Sequence, residues 1–331
     1  MAILVTGGAG YIGSHVAKCL HEAGFEVVVA DNLSRGHRWA VQWGPLERVD
    51  LLDEVGLAGV FRRHEIEAVA HLAGLAYVGE SMQAPSRYFR NNVEGSLNLL
   101  RVMQIRGVNH IVFSSSCATY GTPEALPVRE SEATRPVNPY GESKLMVERA
   151  LHWFSVCHGL RYVTLRYFNA AGADPDGELG ELHHPETHLI PSAIEAVLGR
   201  RPRLQIFGGD FDTVDGTCLR DFVHVRDLAR AHVLALRHLL AGGEPLAVNL
   251  GSGEGRTVRQ VLAVVSAFAG RTVPFEFGPR RPGDPAALVA DASLAGRKLG
   301  WRAEESSLAE IAGSAWIWHS ERLTRLLRAA G

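Results

Sequence analysis

Cysteine is scarce. The 331 residues hold four, Cys19, Cys117, Cys157 and Cys218. None lies in a CxxC pair or at zinc-ligand spacing, so neither a disulfide framework nor a structural zinc motif is expected. Free thiols suit a reducing, cytoplasmic compartment. Long apolar runs are also missing, and no stretch approaches the ~18 residues of a membrane span. The opening MAILVTGGAG lacks a basic segment followed by a long apolar one, so it reads as the first strand of the fold rather than a signal peptide. Charge of one sign is absent too: 34 Lys and Arg against 36 Asp and Glu leave a formal charge of -2. With no basic run, a nucleic-acid partner is not expected. What remains is ordinary for a soluble globular protein, 46% hydrophobic and 21% charged, and long enough for a large core in two lobes.

The first half alternates short apolar runs with helical patterns. Strands are expected at 3–6, 26–30, 68–72, 110–114 and 161–167, and helices at 11–23, 54–63, 92–106 and 140–158. That alternation predicts an α/β fold, a Rossmann-type doubly wound parallel sheet covered on both faces. From Asn169 the pattern changes. Residues 170–188 read as a long functional loop, followed by helices near 189–198, 225–240, 257–269 and 307–320. Short strands are expected near 203–207, 246–250 and 273–277. The division predicted is a cofactor-binding domain over 1–168 and a smaller α/β lobe over 169–331, with segments near 225–255 returning to the first domain. No internal repeat or low-complexity segment is present.

Three local patterns carry chemistry. TGGAGYIG follows the first strand and opens the first helix, spacing Gly7, Gly10 and Gly13 as G-x-x-G-x-x-G. Glycines there let backbone amides, including those of Tyr11 and Ile12, approach a pyrophosphate at the positive helix end. Asp31 ends the second strand, where a carboxylate accepts from ribose hydroxyls and repels a 2'-phosphate. NAD is therefore favoured over NADP, even with Arg35 and Arg38 nearby. Asp50 is placed either to bond the adenine amine or to cap the helix near Asp53. The third pattern is PYGESK. Tyr140 and Lys144 stand one helical turn apart on one face, where an ammonium favours the phenolate of a group whose free pKa is ~10.

Taken together, TGGAGYIG, Asp31-Asn32-Leu33, HLAG (71–74), SSS (114–116) and YGESK (140–144) resemble the extended short-chain dehydrogenase/reductase family. Within it the chain resembles the NAD-dependent nucleotide-sugar 4-epimerases. That match runs through LAYVGES (75–81), NNVEGS (91–96), LRYFN (165–169), GDFDTVDGTCLRDFVHV (209–225), NLGSGEG (249–255) and RRPGD (280–284). The resemblance implies epimerisation at carbon 4 of a UDP-sugar, with Tyr140, Lys144 and Ser116 as catalytic residues. It implies an NAD site formed by Gly7, Gly10, Tyr11, Ile12, Gly13, Asp31, Asn32, Asp50, Leu51, Leu72, Ala73, Gly74, Ser114, Tyr140, Lys144 and Tyr167. For the UDP-sugar it implies Asn91, Ser116, Tyr140, Phe168, Asn169, His188, Leu189, Gln205, Phe207, Arg220, Phe222, Arg281, Asp284 and Leu288. Among these, Arg220 and Arg281 face the diphosphate and Asp284 the uridine ribose. A homodimer is implied through the helices near 92–106 and 144–158. There Leu97, Leu100, Met103, Met146 and Leu151 could serve that interface or the sheet.

Sugar-nucleotide dehydratases of similar sequence carry an acidic pair after the serine-bearing strand. Here Cys117 and Ala118 follow Ser116, so elimination lacks its acid and epimerisation is the better reading. Two alternatives stay open, a net dehydrogenase and a non-catalytic NAD(P)-binding regulator, the latter opposed by the intact Tyr–Lys pair. No metal is expected. His183, His184 and His188 with Glu186 fall in an aperiodic loop and read as pocket lining. GDFDTVDG fails the spacing of a calcium loop, and Cys117 has no adjacent base to activate it. Ala76-Tyr77, Phe222 and Leu288 depart from the better-known galactose enzymes. UDP-galactose and UDP-glucose are the expected substrates and N-acetyl sugars weak ones, with UDP-xylose and UDP-arabinose as an alternative.

Overall fold

The computed structural model describes residues 1–281 and 284–323. Pro282 and Gly283 of the RRPGD stretch, and the end of the second predicted lobe, lie outside the described residues. In chain order, β1 (Ala2–Thr6) leads into α1 (Tyr11–Glu22), β2 (Glu26–Asp31), β3 (Leu46–Arg48), α2 (Glu54–His64) and β4 (Ile66–His71). Two short helices, α3 (Val78–Gln83) and α4 (Pro85–Tyr88), precede α5 (Gly95–Arg106), β5 (His110–Ser116), α6 (Pro139–His158) and β6 (Arg161–Tyr167). Then come β7 (Asn169–Ala171), α7 (Leu189–Val197), β8 (Leu204–Phe207), β9 (Leu219–His224), α8 (Val225–Leu240) and β10 (Leu246–Leu250). The remainder is β11 (Gly255–Thr257), α9 (Val258–Ala269), β12 (Phe275–Gly278), β13 (Ala287–Leu288), α10 (Ser293–Leu299) and α11 (Leu308–Ile317).

Seven parallel strands form the main sheet in the order β10-β6-β5-β4-β1-β2-β3. Its β-branched interior, such as Val27-Val28-Val29, is buried on both faces, as a doubly wound sheet requires. One face packs on α1 and α8 through Ile3, Val16, Leu228 and Leu236, the other on α2, α5 and α6 through Leu4, Leu57, Leu99 and Val147. Strand order reverses between β1 and β4, and the crevice at the carboxyl ends there is where this architecture binds ligands. The strand β10, from the second half of the chain, extends the sheet beside β6.

The remaining strands make a small sheet, β11-β9-β13 with β7 also on β9, and a two-stranded parallel pair, β8 and β12. They enclose a separate core with α7, α9 and α11 around Ile194, Ile206, Val261 and Ile311. Strands β7, β9, β11 and β13 had no counterpart in the sequence reading. Leu219-Arg220-Asp221-Phe222-Val223-His224 of β9 carries three charged or titratable side chains and hides its strand character. It can still be central because buried Asp221 accepts from Ser252 N, Ser252 Oγ, Gly253 N and Ala290 N at 2.7, 2.6, 3.0 and 3.0 Å.

Helix α6 is set by local signals. The Asn138 side chain accepts from Gly141 N at 2.8 Å, Pro139 opens the first turn, and Gly159 closes the helix in the left-handed conformation. On the outer helices, Leu100, Met103 and Leu151 are buried in the sheet core. The apolar side chains left outward are Ile105, Met146, Trp153 and Val156, 74%, 39%, 62% and 63% exposed.

Candidate active site

The turn from β1 to α1 closes one side of the crevice. Gly7 has φ +71, and a Cβ there would come within 2.7 Å of Ala73 N in the opposing turn. A Cβ on Gly13 would lie 2.1 Å from Gly7 O, so the helix could not approach the strand. At Gly10 a Cβ would meet only Gly7 O, at 3.3 Å. Gly10 is also the N-cap and has no side chain to satisfy the first turn. The amides of Tyr11, Ile12 and Gly13 thus begin a helix with their donors uncapped by side chains, in a cradle that a side chain at Gly10 would obstruct. Asp31 sits beside it, accepting from Ala9 N at 3.1 Å and Leu33 N at 2.8 Å. Burial raises its pKa. Asp50 accepts from Asn32 Nδ2 and Leu52 N at 2.8 and 2.9 Å, while the cap of α2 is Asp53. Arg35 is engaged elsewhere: it pairs with Glu80, donates to His184 O at 2.8 Å and stacks over Tyr77. An anion-accepting helix start, with an acid at the end of β2, fits the diphosphate and the unphosphorylated ribose of NAD.

The opposing turn carries Leu72, Ala73 and Gly74. Leu72 N donates to Thr6 O at 3.1 Å, and Leu51 packs at the edge of the core. Gly74 leaves room for Lys144, whose Nζ would lie 3.3 Å from a Cβ there. Behind Gly74 is Asn92, absent from the sequence reading although Asn91 was in it. Asn92 is buried in a π-helical turn, Phe89–Glu94, that leads into α5. It accepts from Leu75 N at 2.8 Å and Asn91 Nδ2 at 2.9 Å, and donates to Leu75 O and Ser143 Oγ at 3.0 Å each. It thereby fastens this turn to α6. A conspicuous pair of asparagines was the only sequence signal for it.

Strand β5 delivers Ser114 and Ser116, and α6 delivers Tyr140 and Lys144. Lys144 is buried; its Nζ donates to Ser114 O at 2.8 Å, and burial lowers its pKa to about 8. Ser116 Oγ accepts from Ala118 N at 3.1 Å. Its hydroxyl also favours the Tyr140 phenolate, but desolvation is the larger effect and the phenol stands at about 12. The sequence reading expected Lys144 to lower this value. In the chain alone, desolvation wins. Below lies Tyr167, whose hydroxyl meets His232 Nε2 at 2.6 Å. His232 Nδ1 reaches Leu228 O at 2.9 Å, and burial takes its pKa down to about 4. A neutral imidazole with Nδ1 donating must accept from Tyr167, which fixes that ring under the site.

The expected sugar-nucleotide residues divide into three groups. Phe168, Leu288 and Cys117 share one apolar cluster with Tyr120, Val128 and Ala290. Asn169 pairs with Phe222 across β7 and β9, and its amide donates to Asp221 O at 2.8 Å. The cations form the second group: Arg220 pairs with Asp284, and Arg281 lies 3.8 Å over the Phe207 ring. Leu288 is the register partner of Arg220, so the first two groups adjoin. Gln205, two residues before Phe207, is exposed and lies over Gly278. The third group is at the start of α7, where His188 is the N-cap and Leu189 begins the helix. Glu181, His183 and Glu186 crowd His188 there. Against burial, the two carboxylates hold both imidazoles above the usual histidine range.

Residues 3–251 match the NAD dependent epimerase/dehydratase family. The chain is 49% identical over 321 residues to a UDP-glucose 4-epimerase of Halalkalibacterium halodurans, covering 97% of this chain and 96% of the relative. A UDP-glucose 4-epimerase structure from Brucella ovis, in complex with NAD, shares 51% identity at TM-score 0.94, over 96% of this chain and 98% of that one. One from Stenotrophomonas maltophila, with bound NAD and formylated UDP-arabinopyranose, shares 40% identity at TM-score 0.94 over 100% of both chains.

Proposed function

This chain belongs to the NAD dependent epimerase/dehydratase family, and we propose that it interconverts UDP-glucose and UDP-galactose by transient oxidation of carbon 4. The turn after β5 carries this reading. It brings Ser116 to Tyr140 and follows with Cys117 and Ala118, neither of which can serve as a second acid beside the phenol. Desolvation pushes the half-buried Cys117 thiol up to about 12. Removing water from the sugar needs such an acid; inverting carbon 4 does not.

Held by the glycine turn, Asp31 and Lys144, NAD would supply the hydride acceptor and donor for carbon 4. The chain's own residues do the rest. Tyr140 accepts the proton of the carbon-4 hydroxyl and later gives it back, and Ser116 donates to the same sugar oxygen. Lys144, one helical turn away, supplies positive charge that favours the phenolate. The ketone must turn its other face to the cofactor, so the nucleotide has to be held more firmly than the sugar. Arg220 and Arg281 suit the diphosphate, and Asp284 the uridine ribose. Domains 1–168 and 169–331 divide these tasks, with β10 and α8 returning to the sheet.

Asp31 sets the cofactor. Asp31→Asn removes a charge that repels a 2'-phosphate, so the ratio of NAD to NADP affinity, measured by fluorescence titration, falls ~10-fold or more. An unchanged ratio assigns the choice to another residue. The working unit is a homodimer through the outward faces of α5 and α6, where Trp153 and Val156 leave an apolar patch. Trp153→Glu gives a monomer by light scattering, where the parent protein gives a dimer. A parent protein already monomeric defeats this assembly. Among the described residues no helix is long and apolar enough to cross a membrane, and the four cysteines are unpaired, in keeping with the cytoplasm.

The whole reading is tested by adding UDP-galactose to the purified protein and following anomeric protons by NMR. UDP-glucose should appear and the reaction stop at a mixture, with NAD added if none is retained. Net accumulation of reduced cofactor would identify a dehydrogenase instead.

A further inference from the structure

The histidines of the 170–188 loop do more in the fold than line a pocket. Folding adds Glu181 to His183, Glu186 and His188, and one ligand atom from each lies within 4.8 Å of all the others. His183 Nδ1 stands 3.2 Å from Glu181 Oε1 and 3.7 Å from Glu186 Oε2. His188 Nδ1 stands 2.7 Å from Glu181 Oε1 and 3.2 Å from Glu186 Oε1. Four ligands bound at ~2.0–2.2 Å around one tetrahedral ion are separated by roughly 3.3–3.6 Å, so these spacings bracket that shape.

Ion pairing with the two carboxylates gathers these groups but does not satisfy them. Both Nδ1 atoms are buried without a hydrogen bond of acceptable geometry, despite the nearby oxygens. The Tyr77 hydroxyl, whose ring packs on both imidazoles, is likewise buried and unbonded. Among the described residues six buried side-chain atoms lack a partner, and three of them are in this small region. Such crowding without alignment is expected of ligands facing a shared centre. Glu186 is held for the task, since its Oε1 accepts from Thr187 N and His188 N at 2.8 Å each, fixing the carboxylate. Glu181 and Glu186 are 3% and 7% exposed.

We infer that Glu181, His183, Glu186 and His188 form a binding site for one divalent first-row cation of the zinc class. The ion would displace the protons that the carboxylates now hold on the two imidazoles, leaving two neutral imidazoles and two carboxylates whose formal charge of minus two it cancels, and a mixed N/O set suits it. The expectation of no metal, drawn from an aperiodic loop, could not include Glu181. The ion would act as a staple rather than a reactant. It would tie the loop to α7 beside the cofactor cradle, because His183 also packs edge-on against Tyr11, with ring centroids 6.3 Å apart. Lys18 fastens the same loop from α1 through Asp174, Asp176 and Glu178 at 3.0, 3.0 and 2.7 Å.

The test does not depend on the epimerase reading. The full chain, stripped with chelator and passed through a desalting column, is titrated with zinc chloride by calorimetry, and retained zinc is counted by mass spectrometry. One equivalent per chain is expected, with a rise in Tm on addition. His183→Ala and Glu181→Gln should each weaken binding by more than the ~10–100-fold typical of an outer-shell partner. Circular dichroism establishes that each variant is folded. Cobalt chloride replaces zinc in a parallel experiment and should give visible absorption bands that both variants lose. Absence of stoichiometric zinc, or binding unchanged in both folded variants, overturns the site and leaves an ion-pair cluster.

Discussion

Tyr140→Phe lowers kcat for UDP-galactose by ~10²–10⁴-fold, the range of a lost general base, and moves KM far less. The ring still packs beside Tyr88, whose centroid is 6.4 Å away, so the variant keeps its fold. The phenol stands at about 12 in the chain alone, well above neutral pH. The base form must therefore be drawn out by further charge brought close on binding, beside the Lys144 ammonium and the Ser116 hydroxyl that are already in place. In the parent enzyme kcat/KM should rise with pH below the optimum, and this rise should disappear in the residual activity of Tyr140→Phe. Stopped-flow rates across pH, with Tm as a control, decide the matter. A loss below 10-fold would remove Tyr140 from the acid–base role.

Lys144→Met should also cost ~10²-fold or more in kcat, through loss of the charge that favours the phenolate. Its second signature is in stability. Burial lowers the Lys144 pKa from 10.5 to about 8, so between those values the unfolded chain binds a proton that the folded one does not. Stability from this group is fully present above pH 10.5 and is lost as pH falls through 8. In cofactor-stripped protein, urea unfolding should show stability changing less favourably with rising pH across this window in Lys144→Met than in the parent. Identical slopes would mean that the ammonium is not desolvated as described.

What could be read in the sequence was what lies close together in the chain. The G-x-x-G-x-x-G turn, Asp31 after EVVVA and the Tyr140–Lys144 pair are local patterns, each confined to a few consecutive residues. The contacts that join distant segments were hidden. Asn92 matters because it bridges Leu75 and Ser143, and its neighbour Asn91 drew the attention instead. Asp221 looks like a surface charge until the amides of Ser252, Gly253 and Ala290 surround it. Whether the outer-helix residues serve an interface or the sheet was open in the sequence for the same reason. In the fold Leu100, Met103 and Leu151 turn inward, and Met146, Trp153 and Val156 are exposed. The Glu181–His188 cluster was half legible, since its histidines are adjacent in sequence but the fold supplies the geometry.

The most direct measurement of the central claim is the reaction in D₂O. If carbon 4 is oxidised and re-reduced, its hydrogen travels as hydride and never meets solvent. UDP-galactose taken to equilibrium in D₂O should then give UDP-glucose with full proton intensity at carbon 4 by NMR. Deuterium at that position would mean that the carbon–hydrogen bond is broken by proton abstraction, and would contradict the account built on Tyr140, Ser116 and the cofactor crevice.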